Sequence, residues 1–155
     1  MMRKLFVLIM LAPVFAYANA SVGYTNLDID LGDGDSASLG ALNIGYTMDV
    51  DDSPFSVQAG IAIGLTDDTV YGVNVELDPS FYIRGMYEVN ENFFISASWI
   101  NFQAEASASA NGVTVSEDGS DSEAGFGLGF RPNEKVTVMF DVVEDTNLFT
   151  VQYNF

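Results

Sequence analysis

The chain has 155 residues, of which 48% are hydrophobic and 17% charged, with 22 Asp and Glu against 5 Lys and Arg and a formal net charge of −17. Phosphate recognition needs clustered cations, so this balance excludes a nucleic-acid partner and direct attraction to an anionic lipid surface. There is no Cys and no His, which removes disulfides, thiolate metal sites, a cysteine nucleophile, lipid attachment through an N-terminal Cys, and all imidazole chemistry.

Residues 1–20 open with Met-Met-Arg-Lys, continue through an almost wholly apolar run from Leu5 to Phe15, and end in Tyr17-Ala18-Asn19-Ala20. A short basic region, an apolar region and an A-x-A site are the parts of a secretory signal peptide. The run is too short to cross ~30 Å of hydrocarbon as a helix. Cleavage after Ala18-Asn19-Ala20 would start the mature chain at Ser21. The organisation expected is a signal peptide over 1–20 and one domain over 21–155.

From there the pattern has period two, which places alternate residues on opposite faces of a strand. Residues 21–31 begin with Val22 and Tyr24, then switch phase to Leu27, Ile29 and Leu31; a bulge near Asn26 would account for the switch. Gly40, Leu42, Ile44, Tyr46 and Met48 form one face of a second strand. Phe55, Val57, Ala59, Ile61, Ile63 and Leu65 form that of a third. Leu77, Phe81, Ile83 and Tyr87 alternate with Asp78, Ser80, Tyr82, Arg84 and Met86. Pro79 conflicts with a closed ladder and marks the rim or a bulge. In residues 93–102 the face of Phe93, Ile95, Ala97 and Trp99 opposes one that is only partly polar (Phe94, Ser96, Ser98, Ile100, Phe102), so the register stays open. Three clear strands follow: Ala124 to Phe130, Val136 to Val142, and Phe149 to Phe155.

Eight strands result, an even number as in single-chain bacterial membrane barrels. Residues 49–54, 88–92 and 132–134 are short turns, whereas 32–38, 66–73 and 103–122 read as longer polar loops on the other side. The fourth outer connection, near 144–147, is short. This is the asymmetry of an outer-membrane barrel, with both termini on the periplasmic side. The fold expected is all-β: an eight-stranded antiparallel up-and-down transmembrane barrel.

An apolar face can line a soluble core or meet lipid. Tyr46, Phe55, Tyr87, Phe93, Phe130, Tyr153 and Phe155 all fall near a short turn or the C-terminus, so closure gathers them at one height. Aromatic rings collect where bilayer meets water, and a soluble core gives no reason to gather them. The opposite face, with Gly60, Gly64, Gly125, Gly127 and Gly129 beside Tyr82, Arg84 and Met86, suits a narrow, filled interior.

The terminal Phe149-Thr-Val-Gln-Tyr-Asn-Phe155 resembles the last strand of bacterial outer-membrane proteins, and residues 21–155 resemble the small OmpA/OmpX-like barrels in pattern. That resemblance implies a place in the outer membrane beside lipid and lipopolysaccharide. It also implies recognition of Tyr153 and Phe155 by the barrel-assembly machinery. The enzymes among outer-membrane barrels use a histidine, absent here. A substitute lysine base is limited to Lys135, which has no Ser beside it. The expectation is a non-enzymatic protein with a structural or surface-interaction role and no cofactor. A narrow channel and a soluble periplasmic lipocalin-like barrel are the alternatives.

Two acidic clusters, Asp28, Asp30, Asp33 and Asp35, and Glu117, Asp118, Asp121 and Glu123, fit solvated surface. The first lacks the EF-hand spacing, so no metal site is assigned. Loop carboxylates could still share divalent cations with lipopolysaccharide phosphates. Arg84 faces inward and needs partners there, with Asp141, Gln58 and Gln152 the candidates. Within residues 103–122, Ser-Ala repeats followed by Val113-Thr-Val115 could extend a hairpin above the membrane and bind other surfaces; nothing in the stretch names a ligand.

Overall fold

Alternating apolar and small residues, free of long helical periods, give a chain whose described regular elements are all strands. The computed structural model describes residues 19–32, 35–110 and 113–155. The nine strands are β1 (Ala20–Gly32), β2 (Asp35–Asp49), β3 (Phe55–Gly64), β4 (Asp67–Val70), β5 (Val73–Glu88), β6 (Phe93–Ala110), β7 (Val113–Asn133), β8 (Val136–Val143) and β9 (Thr146–Asn154). Each pairs antiparallel with its neighbours, β1 pairs with β9 and β3 with β5, so the sheet closes on itself. β3 and β4 pair one after the other with the same β5, and nine segments therefore build eight staves. The break falls at Leu65–Thr66, whose backbone N–H groups both donate to the Gly40 carbonyl.

Bulky hydrophobes coat the outside. Phe126 is 78% exposed and Leu128 66%, and Ile83, Ile95, Trp99, Phe140, Val142 and Val151 share that face. The open register of 93–102 resolves the same way: Phe93, Ile95 and Trp99 point out, while Phe94, Ser96, Ser98 and Ile100 are buried inside.

Two expectations about strand faces are corrected. The ladder of β1 runs unbroken from Ala20 to Asp30 against β2, so no bulge sits near Asn26. Leu27 is buried because the upper lumen it enters is apolar; the interior chemistry changes with height, and the backbone does not. Leu77 points inward rather than to lipid, because an extra residue at Pro79–Ser80 flips the face of β5: Asp78 pairs with Gln103 and Phe81 with Asn101. Pro79 thus sits in a bulge, where no ladder donor is required of it. Ser80 Oγ patches the gap by accepting from the Gln103 backbone N–H at 2.9 Å.

The stretches read as longer polar loops are largely strand, and over 103–122 they form the hairpin above the wall that the Ser-Ala repeats and Val113-Thr-Val115 suggested. β6 and β7 stay paired through Ala110 and Val113, and β4 and β5 meet at a two-residue turn, Tyr71–Gly72. Both turn residues have positive φ (53° and 81°), the geometry of a hairpin turn that matches strand twist. β4 to β7 therefore continue beyond the barrel wall as a sheet, here called the paddle.

Candidate functional site

The lumen is built by strand alternation. Asp141 lies between the outward Phe140 and Val142, and Arg84 between Ile83 and Gly85, so both aim inward. Arg84 Nη2 donates to Asp141 Oδ2 at 2.7 Å, and Nη1 donates to Gln58 Oε1 at 3.0 Å. Ser96 Oγ donates to Asp141 Oδ1 at 3.0 Å. Gln58 Nε2 reaches Ser21 Oγ and Thr47 Oγ1 at 3.3 Å and Gln152 Oε1 at 3.5 Å. The four inward polar residues singled out in the sequence thus meet in one network. Asp141 and Gln58 are both 0% exposed. A buried charge is tolerable only when paired and hydrogen-bonded, and this one is.

Glycines make the room. A Cβ on Gly127 would overlap Asp141 Oδ1, and one on Gly45 would lie 2.7 Å from the Tyr82 hydroxyl. Tyr82 in turn carries the Arg84 guanidinium 5.4 Å from its ring centre.

Above this layer Leu27, Leu39, Leu77, Ile100 and Leu148 pack into an apolar cap. Below it lie Met86, Phe94 and Met139. Arg131 stacks 4.7 Å over Phe94 and pairs with Glu88. Beneath them a vestibule of about 570 Å³ opens at the end where the short turns lie, lined by Asp49, Glu88, Arg131, Glu134, Gln152 and Asn154.

The aromatic positions lie on the outer face, several of them paired across the ladder. Phe55 and Tyr87 are register partners with rings 4.9 Å apart, as are Phe93 and Phe130. Tyr153 and Phe155 stack edge-on at 5.2 Å. Tyr46 is likewise exposed, opposite Ala20 and Ala59. Of the expected cleavage residues, Ala18 lies outside the described residues, while Ala20 and Ser21 start β1.

The paddle carries the second candidate. Register puts Asp67 opposite Glu76, Glu76 opposite Glu105, and Glu105 opposite Asp118, a row of carboxylates across four strands. Sequence reading missed this row, although counting back from the Tyr71–Gly72 turn would have found its first pair. Asp68 Oδ2 accepts from the Ser38 backbone N–H at 2.9 Å and ties the paddle to β2; with a second bond from Thr69, this holds its carboxyl below the usual range. β8 ends opposite Gly125, so Glu123 stands beyond the spanning part of β7. Partial burial, then the neighbouring Glu144, Asp121 and Asp145, pushes its carboxyl up to about 7. Of the first acidic cluster, Asp28 is exposed and the side chains of Asp30, Asp33 and Asp35 lie outside the described residues. Among the described residues no three acidic side chains gather as a metal-ligand set. Lys135 sits in the Glu134–Lys135 turn at the end of the short turns, next to Glu134 of the vestibule.

Comparison with known proteins gives the family. Residues 5–154 match the family described as outer membrane protein beta-barrel domain. Among solved structures, the attachment invasion locus protein Ail of Yersinia pestis is similar at 15% identity, with 88% of this chain and 97% of that one covered and a TM-score of 0.61. The same protein bound to the heparin analogue sucrose octasulfate gives 16% identity, the same coverage and a TM-score of 0.59. Neisserial surface protein A aligns at 11% identity, with 88% and 96% covered and a TM-score of 0.48. No curated protein matches the chain. An outward apolar coat and this family match leave no place for the soluble lipocalin-like alternative. The chain belongs to the outer-membrane β-barrel domain family and resides in the bacterial outer membrane.

Proposed function

We propose that this barrel is a non-enzymatic surface protein whose interactions are made by the paddle, with the filled lumen serving as a structural plug. The observation that carries the reading is the continuation of β4 to β7 as paired sheet past the wall, above a lumen closed by packed side chains. Strand β6 runs about 30 Å along its own length beyond the rim, at ~3.4 Å per residue. Such a rigid extension has no use in sealing a membrane; it presents residues outward.

The test is a photo-crosslinking residue at Ser107 or Ser116 on intact cells. Extracellular adducts are expected, and they should vanish when residues 104–119 are replaced by a tight turn while heat-modifiable gel mobility persists. Absence of adducts from both positions overturns the reading.

The reported polyanion ligand of Ail does not transfer, because Arg84 lies in the lumen and Arg131 and Lys135 at the opposite end, leaving the described paddle with carboxylates alone. Carboxylates sharing divalent cations with lipopolysaccharide phosphates fit the same charge; unchanged melting after chelation counts against that. Tyr153 and Phe155, ringed together on the outer face of the terminal strand, fit the assembly signal, and residues 1–20 fit a cleaved leader. A narrow-channel reading draws on the polar vestibule below the Arg84–Asp141 pair. In planar bilayers it requires Arg84→Ala to raise conductance, and an unchanged trace ends it.

A further inference from the structure

Resting on that reading, we propose that the free edge of β7 takes up an extended cationic peptide segment as an added strand. From Val113 to Ala124 one edge of β7 is paired with β6. On its other edge β8 begins only opposite Gly125, so among the described residues no strand covers the upper half. Every second residue there turns its N–H and C=O toward the open side, which is a template for strand addition.

Exposed edges are ordinarily blunted by lysine, proline, bulges or shortness. This one has none of them: Val113–Ala124 holds no Lys and no Pro, its register with β6 is unbroken, and it is long. Its guard is charge of one sign, in Glu117, Asp118, Asp121 and Glu123. Asp118 is also the terminal member of the row that runs through Glu105 and Glu76 to Asp67. Like charges directly opposite one another destabilise a sheet. A strand laid along β7 with Lys or Arg opposite Asp118 would end the row on a cation, about 4.8 Å away in the pairing direction.

The same charges decide against a second copy of this chain. Edge-to-edge pairing of two paddles would set acids against acids, with no basic residue in Val113–Ala124 to relieve them. The occupant is therefore a foreign segment, extended and basic, held by main-chain bonds and chosen by charge.

The experiment uses the full chain in lipid nanodiscs and a fluorescent Val-Lys alternating peptide of about ten residues. Two controls accompany it: a Val-Glu peptide, and the Val-Lys peptide N-methylated at alternate positions, which keeps the charge and removes ladder donors. Binding of the unmodified Val-Lys peptide alone is expected, with slowed amide exchange at alternate residues between Thr114 and Glu123. Glu117→Gln, Asp118→Asn, Asp121→Asn and Glu123→Gln combined should weaken it by about tenfold, because they remove the carboxylates of both faces and so every rim partner the lysines can meet on whichever face they take. Should that variant not fold, loss of binding with added salt supplies the same readout. No binding, equal binding of the Val-Glu peptide, or equal binding of the N-methylated peptide overturns the proposal. Adducts on intact cells without peptide binding would sink this inference and leave the surface reading standing.

Discussion

Replacing Asp141 with alanine removes the sole carboxylate facing Arg84 in the described lumen and leaves a guanidinium among buried groups. Breaking a buried ion pair from one side costs about 3–5 kcal/mol. The lower end applies, because Gln58 Oε1 still accepts from Nη1 and the Tyr82 ring still faces the cation. A loss of about 3 kcal/mol is more than a hundredfold in the folding constant. Arg84→Met combined with Asp141→Leu takes out both charges together, and pairs replaced in this way are often neutral. The double variant should therefore recover most of the loss. Urea unfolding in phospholipid vesicles, followed by emission of the single tryptophan, Trp99 on the lipid face, measures all three proteins. An Asp141→Ala loss below about 1 kcal/mol, or a double variant as weak as the single, would show that Arg84 is solvated. The plug argument would then fail.

Gly60→Ala sets a Cβ against the Ile44 carbonyl and the Tyr82 hydroxyl, and should cost about 1–3 kcal/mol in the same titration. The lipid-facing Gly85→Ala, whose nearest neighbour would be Ala97 O at 3.9 Å, should be neutral or slightly stabilising; equal losses refute the assignment of faces. Leu128→Lys, near mid-height of the outer coat, should lower stability by about 2–4 kcal/mol in bilayers. Glu123 has a folded pKa of about 7 against a usual 4.5, so between those values the folded state holds more protons than the unfolded one. Stability must fall as pH rises through that window. Glu123→Gln should raise the melting temperature at pH 8 and leave it unchanged at pH 4; the reverse order contradicts the burial argument.

Strand count, closure and the lipid face were legible because lipid is uniform: outward residues of the barrel wall such as Ile83, Ile95, Phe126, Phe140 and Val151 meet the same solvent, so alternation is clean there. The lumen is not uniform. Leu27 broke the alternation as the interior turned from polar to apolar, and a chemical change in surroundings resembled a kink in the backbone. Leu77 misled for the opposite reason, since Pro79–Ser80 did shift the backbone while the apolar spacing looked regular. Residues 103–122 read as a loop with no more than a hint of a hairpin at Val113-Thr-Val115, because both faces of the paddle meet water, which erases the apolar signal without loosening the pairing. The network of Arg84, Asp141, Gln58 and Gln152 could be gathered as a set from one inward cation needing partners. Its geometry could not, because which strands' residues share a height depends on the stagger of closure.

The apolar cap of Leu27, Leu39 and Leu77 divides the molecule into compartments that need not change in step. Residues above it can be exchanged, lengthened or lost without breaching the envelope, while those below stay committed to watertightness. A lineage could thus vary what the cell shows its surroundings at little hazard to the barrier that keeps it alive.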